Sequence, residues 1–141
     1  MKQSKVFLDS SVIISGLASR SGGSYEILAL AELGIIIPCI SEIVVTEVLR
    51  NVKSKLPGSL DLFYALFKKL PFKFYDPAKN VLQRAELLIN IKDAPILAAA
   101  MTGKADWLLS LDKHFLKEDW HGKVDFLIGT PKDFLRNWQR K

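Results

Sequence analysis

The sequence predicts an α/β fold in which helices cover both faces of a central, mostly parallel sheet. Short apolar runs, such as residues 6–8 and 107–109, alternate with longer segments whose apolar residues recur at helical spacing. Strands that alternate with helices favour parallel pairing through right-handed crossovers. No internal repeat, low-complexity tract or linker divides the 141 residues. We therefore expect a single domain spanning residues 1–141.

The first half of the chain is predicted to contain three strands and four helices. In chain order these are a strand at 5–8, helices at 12–17 and 25–33, a strand at 35–37, helices at 42–54 and 60–70, and a strand at 72–75. Ser10 or Ser11 is expected to cap the first helix and Ser41 the third, because a hydroxyl accepts a hydrogen bond from a free amide of the first turn. Gly34 ends the second helix.

The second half is predicted to alternate in the same way. Asp76 and Pro77 break the chain before a helix at about 78–88, and Gly103 ends the next helix, at about 93–102. A buried strand at 106–110, a last strand at 124–128 and a helix at about 131–138 complete the chain.

The helix predicted at 60–70 is apolar on both faces. Phe63 and Phe67 mark one face, and Leu62 and Leu66 make the other apolar as well. Such a helix needs more cover than one core surface normally gives, which favours contact with a protein partner or with a second copy of the chain as a homodimer. A helix clamped between neighbours in one monomer fits the sequence equally well.

Composition excludes several classes of protein. Hydrophobic residues make up 49% and charged residues 25% of the chain, which is typical of a globular domain. No apolar run approaches the roughly 20 residues that span a bilayer, and the amino terminus lacks a secretory apolar region, so we expect a cytoplasmic protein without membrane contact. The single cysteine, Cys39, excludes an intrachain disulfide and is interpreted as a buried thiol, and no Cys/His cluster has zinc-ligand spacing.

The chain is basic. Twenty Lys and Arg against fifteen Asp and Glu give a net charge of +5, which favours a polyanionic partner. The charges are spread over the whole chain, so this signal is weak by itself.

Four acidic residues stand where catalysis would need them. Asp9 follows the first apolar run, Asp112 follows a later one, Asp93 lies at a predicted helix start, and Glu47 lies inside a helix. The carboxyl ends of parallel strands meet at the ligand-binding edge of an α/β sheet. Taken singly, each aspartate is more often a helix cap, and Glu47 is more often a surface group or a partner of Arg50.

The four acids are more informative as a set. Carboxylates that are gathered together repel one another unless a cation is present. A ring of Asp and Glu oxygens matches the ligand preference of Mg²⁺ or Mn²⁺. The sequence therefore predicts a divalent-cation site built from Asp9, Glu47, Asp93 and Asp112.

Five segments resemble those of the PIN-domain family, in the family's order and over residues 5–136. They are KVFLDSSVIISG with Asp9, SEIVVTEV with Glu47, KDAPILAAA with Asp93, ADWLLSLDKHF with Asp112, and TPKDFL near the end of the chain. Each segment is a weak pattern alone, but the ordered set is specific. The resemblance implies a three-layer α/β/α fold and a metal-dependent phosphodiesterase, most often an endoribonuclease.

Among PIN proteins, the compact size is most similar to VapC-type toxins, which implies an RNA substrate and a cognate antitoxin. The products of in-line attack would be a 3′-hydroxyl and a 5′-phosphate. Asp9 and Asp112 are expected to bind the metal directly, whereas Glu47 and Asp93 are expected to hold water ligands or orient the nucleophile. Arg50, Lys53 and Lys55 follow Glu47 and are candidates for RNA phosphate contacts, although a solvated face explains them equally well.

The sequence departs from the family pattern at two places. Ser10 and Ser11 stand where Thr and Asn are common, and Ser11 can either bond Asp9 or a metal-bound water or act only as a cap. His114 stands where many relatives carry a further aspartate. It is interpreted as a surface histidine, with a weakened second metal site or an imidazole beside the scissile phosphate as alternatives.

Two other functions share features with this sequence. A phosphatase of the haloacid dehalogenase type also begins with a strand-end aspartate, but it needs an acid where Ser11 stands. A non-catalytic PIN-like module that binds RNA or protein fits the same fold, and it is favoured if the serine and histidine departures abolish metal binding.

Overall fold

The computed structural model describes residues 3–139, which build a fully parallel five-stranded sheet flanked by helices in an α/β/α arrangement. The strands are β1 Lys5–Leu8, β2 Ile37–Ile40, β3 Lys73–Phe74, β4 Trp107–Leu109 and β5 Leu127–Gly129. Their order in the sheet is β3-β2-β1-β4-β5. The helices are α1 Ser10–Ala18, α2 Gly23–Glu32, α3 Glu42–Lys55, α4 Leu60–Lys69, α5 Lys79–Glu86, α6 Ala94–Thr102, α7 Lys113–Leu116 and α8 Pro131–Gln139, with a 3₁₀ turn at Pro57–Ser59. The predicted fold class is confirmed.

The central strand β1 determines where a site can form. β1 lies between β2 and β4 and its last three residues are fully buried. The chain passes from β1 to β2 on one side and later to β4 on the other, and this reversal opens a crevice at the carboxyl ends of β1 and β4. Leu8 pairs with Leu109, so the next residues, Asp9 and Ser110, emerge side by side.

Two boundaries at the start of the chain differ from the prediction. Helix α1 begins at Ser10 rather than at residue 12, because the Asp9 carboxylate, and not Ser10 or Ser11, is its cap and accepts from the Ser10 amide. Strand β2 begins at Ile37 rather than at residue 35. The Ile35 amide donates to the Leu30 carbonyl (2.9 Å), and Gly34 has a φ of 75°, so residues 33–36 complete the turn that ends α2.

The last strand also begins later than predicted. The Leu127 amide donates to the carbonyl of Asp106, the residue just before β4, at 3.2 Å. Pairing with β4 therefore begins at Leu127, and β5 starts there and not at residue 124. The short helix α7 follows Asp112 directly. No helix within residues 3–139 is both long and apolar enough to cross a membrane.

Helix α4 is only partly covered. Phe63 is buried and packs on Phe67 with ring centroids 4.8 Å apart, whereas Leu62 and Tyr64 are each 49% exposed. A groove of about 320 Å³ runs between α4 and the pair α1 and α2, with Leu62 and Leu66 on one wall and Leu28 on the other. Neighbours within the monomer therefore do not clamp this helix on all sides.

Candidate metal centre

Asp9 forms the buried floor of the candidate site. Its carboxylate accepts three hydrogen bonds: Oδ1 from the Ser10 amide (2.8 Å), and Oδ2 from the hydroxyls of Ser110 (2.7 Å) and Ser11 (3.1 Å). Only 6% of the residue is exposed. Burial raises the pKa of Asp9, the three hydrogen bonds oppose that rise, and the nearby charge of Glu47 adds to it. Burial thus destabilises the ionised form of Asp9, and a neighbouring cation would stabilise that form.

Ser110 joins the two strand ends. Its hydroxyl donates to Asp9 and accepts from the Asp112 amide at 2.9 Å. Ser11 makes a parallel link, because its hydroxyl also accepts from the Leu111 amide at 3.0 Å. Sequence reasoning missed Ser110, which is fully buried. The available signal was a hydroxyl residue ending an apolar run two positions before an acid.

Asp112 and His114 lie at the start of α7. The Asp112 side chain caps this helix by accepting from the His114 amide at 2.9 Å. The ring of His114 turns back, so that its Nδ1 is 3.0 Å from Asp93 Oδ2 and 3.5 Å from Asp112 Oδ1. The imidazole is about half exposed, as expected of a surface histidine, but it also contacts two of the predicted site residues.

Asp93 is held from the preceding loop. It occupies the cap position of α6, yet its side chain makes no capping hydrogen bond. Instead, Asn90 Nδ2 donates to Asp93 Oδ2 (2.7 Å), and Asn90 Oδ1 accepts from the Asp93 amide (3.1 Å). Asn90 was also missed, since an Asn three residues before an Asp is a common turn pattern with no functional meaning of its own.

Glu47 reaches the site through Ser10. The Ser10 hydroxyl donates to Glu47 Oε2 at 2.9 Å, while the Ser10 amide bonds Asp9. Within residues 3–139, Glu47 forms no ion pair with Arg50, so the structure does not support that alternative. The basic candidates on α3, namely Arg50, Lys53 and Lys55, have exposed side chains.

The structure brings the four predicted acids to one edge of the sheet. Single ligand atoms of Asp93, Asp112 and His114 lie within 4.8 Å of one another, while Asp9 and Glu47 fall outside that group. Hydrogen bonds through Ser10 and Ser110 connect Asp9, Glu47 and Asp112. His114 connects Asp93 to this network, because its amide donates to Asp112 and its ring contacts Asp93. Two carboxylates with an imidazole are a donor set that divalent first-row metals accept, and the carboxylate oxygens suit Mg²⁺ as well. The residues present fit a divalent cation.

Comparison with protein families gives one match, to a model described as the PIN domain, over residues 5–114. Among curated proteins, no sequence matches the chain significantly.

Solved structures with the same fold come from several organisms. The chain superposes on the VapC20 toxin of Mycobacterium tuberculosis, described as cleaving the sarcin-ricin loop, with a TM-score of 0.60 and 16% identity over 79% of this chain and 93% of that one. It superposes on the DNA-bound VapBC of Salmonella typhimurium with a TM-score of 0.68 and 14% identity, over 90% and 98% of the two chains. For the VapBC2 of Rickettsia felis, bound to a DNA fragment from its promoter, the TM-score is 0.60 and the identity 18%, over 89% and 96%. At these identities the likeness establishes the fold.

Proposed function

Because this chain belongs to the PIN-domain family, whose model matches residues 5–114, we propose that it is a Mg²⁺- or Mn²⁺-dependent endoribonuclease and the toxin of a toxin–antitoxin pair. The observation that supports this most strongly is the convergence of Asp9, Asp93 and Asp112 at the carboxyl edge of the sheet, joined by Ser110 and His114. In this proposal the whole chain acts as one nuclease domain.

The distances favour a particular division of roles among the acids. Asp93 and Asp112 each offer an oxygen to the group of ligand atoms that lie within 4.8 Å of one another, and they would hold the cation directly. The expectation of direct ligation by Asp112 is kept, whereas Asp93 moves from a water-mediated role to a direct one. Asp9 was expected to be a second direct ligand, but it lies outside that group of ligand atoms, so in this proposal its charge would attract the cation without binding it directly. A bound divalent cation supplies Lewis-acid chemistry by activating water and offsetting charge on the phosphate.

Glu47 is the candidate for orienting the nucleophile. Ser10 fixes one of its carboxylate oxygens, which leaves the other able to accept a hydrogen bond from an attacking water. Arg50, Lys53 and Lys55 extend from the same helix with exposed side chains. They would bind phosphates that flank the cleaved bond by ordinary electrostatic attraction.

The partners follow from the toxin proposal. Two of the structures that share the fold are VapBC assemblies, and we propose a cognate antitoxin for this chain as well. The groove between α4, α1 and α2 is the candidate docking surface, since Leu62 and Tyr25 remain exposed there. A homodimer through the same helix is the other way to cover these side chains.

The test is cation-dependent cleavage of RNA by the purified chain. Wild type is expected to cut a mixed RNA substrate with Mg²⁺ or Mn²⁺ and to be inactive with EDTA, and Asp112→Asn is expected to lose at least about 100-fold in rate, because the substitution removes a charged ligand. Asp125→Asn is the matched control, because Asp125 is an exposed acid near the opposite, amino-terminal edge of the sheet. Equal activity of wild type and Asp112→Asn would reject the assignment.

The second candidate function is an RNA-binding or protein-binding module that does not cut. It is favoured by His114, which stands where an additional acid would strengthen cation binding. RNA binding without cleavage, together with no cation binding in titration calorimetry, would select this alternative.

A further inference from the structure

His114 is part of the acidic cluster and not merely adjacent to it. Its Nδ1 lies between Asp93 Oδ2 at 3.0 Å and Asp112 Oδ1 at 3.5 Å. No other histidine, cysteine or acid within residues 3–139 joins those two aspartates in a cluster of this kind. The ring therefore contributes a nitrogen atom to a group that otherwise offers only carboxylate oxygens.

The spacing of these atoms suits a single ion. Two ligand atoms bound at about 2.1 Å and at right angles to each other are about 3.0 Å apart. The Nδ1-to-oxygen distances of 3.0 and 3.5 Å are close to that separation. An ion could thus replace the hydrogen bond between His114 and Asp93 with small movements of the side chains.

The two carboxylates that face the ring are held independently of it. Asn90 donates to the Asp93 carboxylate and accepts from the Asp93 amide. Ser110 accepts from the Asp112 amide, and the Asp112 carboxylate accepts from the backbone amide of His114, which lies in the first turn of α7. Because separate groups support each ligand, the arrangement does not depend on a contact between His114 and Asp93.

We propose that His114 is a metal ligand, and that its nitrogen makes this site select Mn²⁺ over Mg²⁺. Magnesium binds oxygen ligands and gains little from an imidazole, whereas Mn²⁺ and later divalent metals accept nitrogen and bind a mixed site more tightly. This inference rests on the proposed function for the presence of a cation, and it adds which cation the chain prefers and which residue sets the preference.

The experiment measures metal binding and not only activity. Dissociation constants for Mn²⁺ and Mg²⁺ are determined at one fixed pH for wild type, His114→Asp and His114→Ala, with pulsed electron paramagnetic resonance of the bound Mn²⁺. His121→Ala is the matched control, since His121 is the other histidine and its side chain is exposed. Circular dichroism shows whether each variant folds.

Wild type is expected to show coupling between Mn²⁺ and a ¹⁴N nucleus, and this coupling should disappear in His114→Asp and persist in His121→Ala. The second readout is selectivity, measured as the dissociation constant for Mg²⁺ divided by that for Mn²⁺. Because an all-oxygen site already favours Mn²⁺ to some degree, the test is the change in this ratio. In His114→Asp the ratio should fall at least about fivefold. If a His114 variant fails to fold, a nitrogen signal that wild type shows and His121→Ala keeps still assigns the ligand to His114, because these are the two histidines of the chain.

The outcomes separate this inference from the proposed function. If Mn²⁺ binds wild type without nitrogen coupling, or if His114→Asp keeps the wild-type ratio, His114 is not a ligand, while cation-dependent cleavage can still stand. If no divalent cation binds wild type, both proposals are rejected.

Discussion

Replacing Ser110 with alanine tests whether the two strand ends are joined as the structure indicates. The substitution removes one buried hydroxyl and no other group. That hydroxyl donates to the Asp9 carboxylate at 2.7 Å and accepts from the Asp112 amide at 2.9 Å. With no exposed surface at this position, water has no access to replace either bond.

The expected loss of stability is the sum of two contributions. A hydrogen bond to a charged group is worth about 1.5–3 kcal/mol and a neutral one about 0.5–1.5 kcal/mol. Because the Ser110 hydroxyl makes both hydrogen bonds, its removal breaks both, and we expect Ser110→Ala to lower the free energy of unfolding by about 2–4 kcal/mol. At about 3 °C per kcal/mol for a domain of this size, the melting temperature should fall by roughly 6–12 °C.

The loss should also depend on pH. The Ser110 hydrogen bond lowers the pKa of Asp9 against the effect of burial, so removing it raises that pKa further in the folded state only. A folded-state pKa above the unfolded value means that stability falls as the pH rises through the interval between them. The difference between wild type and Ser110→Ala should therefore be larger at pH 7 than at pH 4.

The assay is urea denaturation in EDTA at both pH values, with Ser11→Ala as the matched control. Ser11 also donates to Asp9 and accepts from a backbone amide, but its side chain is partly exposed, so water can replace its bonds. We expect Ser11→Ala to cost about 1 kcal/mol or less. If the two variants lose the same stability, or if the loss in Ser110→Ala is greater at pH 4, the reasoning about the buried hydroxyl is wrong.

Three further predictions concern groups inside the fold. Asp9→Asn should become more stable relative to wild type as the pH rises from 4 to 7 without metal, because burial raises the Asp9 pKa and only wild type must then keep a buried charge; a stability difference that is constant with pH in thermal melts would contradict this. Gly103→Ala should cost about 1–3 kcal/mol in urea denaturation, since a Cβ there would lie 2.8 Å from the Tyr75 ring; an unchanged midpoint would show that the ring moves freely. Burial raises the pKa of the Cys39 thiol to about 11, so a thiol reagent at pH 8 should modify it only after unfolding, and rapid labelling of the native chain would refute its burial.

The sequence predicted the order and type of the main elements because their signals are local. Apolar runs and helical spacing depend on neighbouring residues, and they located every strand to within a few positions. The boundaries failed where a turn competes with a strand. The Gly34 turn continues through Ile35 and Ile36 despite their apolar side chains, and nothing in the pattern of hydrophobic residues distinguishes such a turn from the first residues of β2.

The residues of the candidate site also differ in whether local sequence patterns can predict them. The convergence of the four acids could be predicted because strand ends and the ordered family segments point to them as a set. Ser110 and Asn90 could not, because a serine or an asparagine becomes a site residue only through its neighbours. The role of Ser110 depends on the register that aligns Leu8 with Leu109, and pairing register is a long-range property of the sheet.

His114 illustrates how the surroundings decide a role. As a residue of a short surface helix, it is correctly predicted to be exposed, and the structure agrees. Yet Asp112 caps that helix by accepting from the His114 amide, which fixes the backbone that carries the ring. Asn90 holds Asp93 so that its Oδ2 lies 3.0 Å from His114 Nδ1. An exposed position and a contact with two carboxylates are thus compatible. The metal selectivity that we propose for this chain therefore depends on a residue that its exposure alone would leave unassigned.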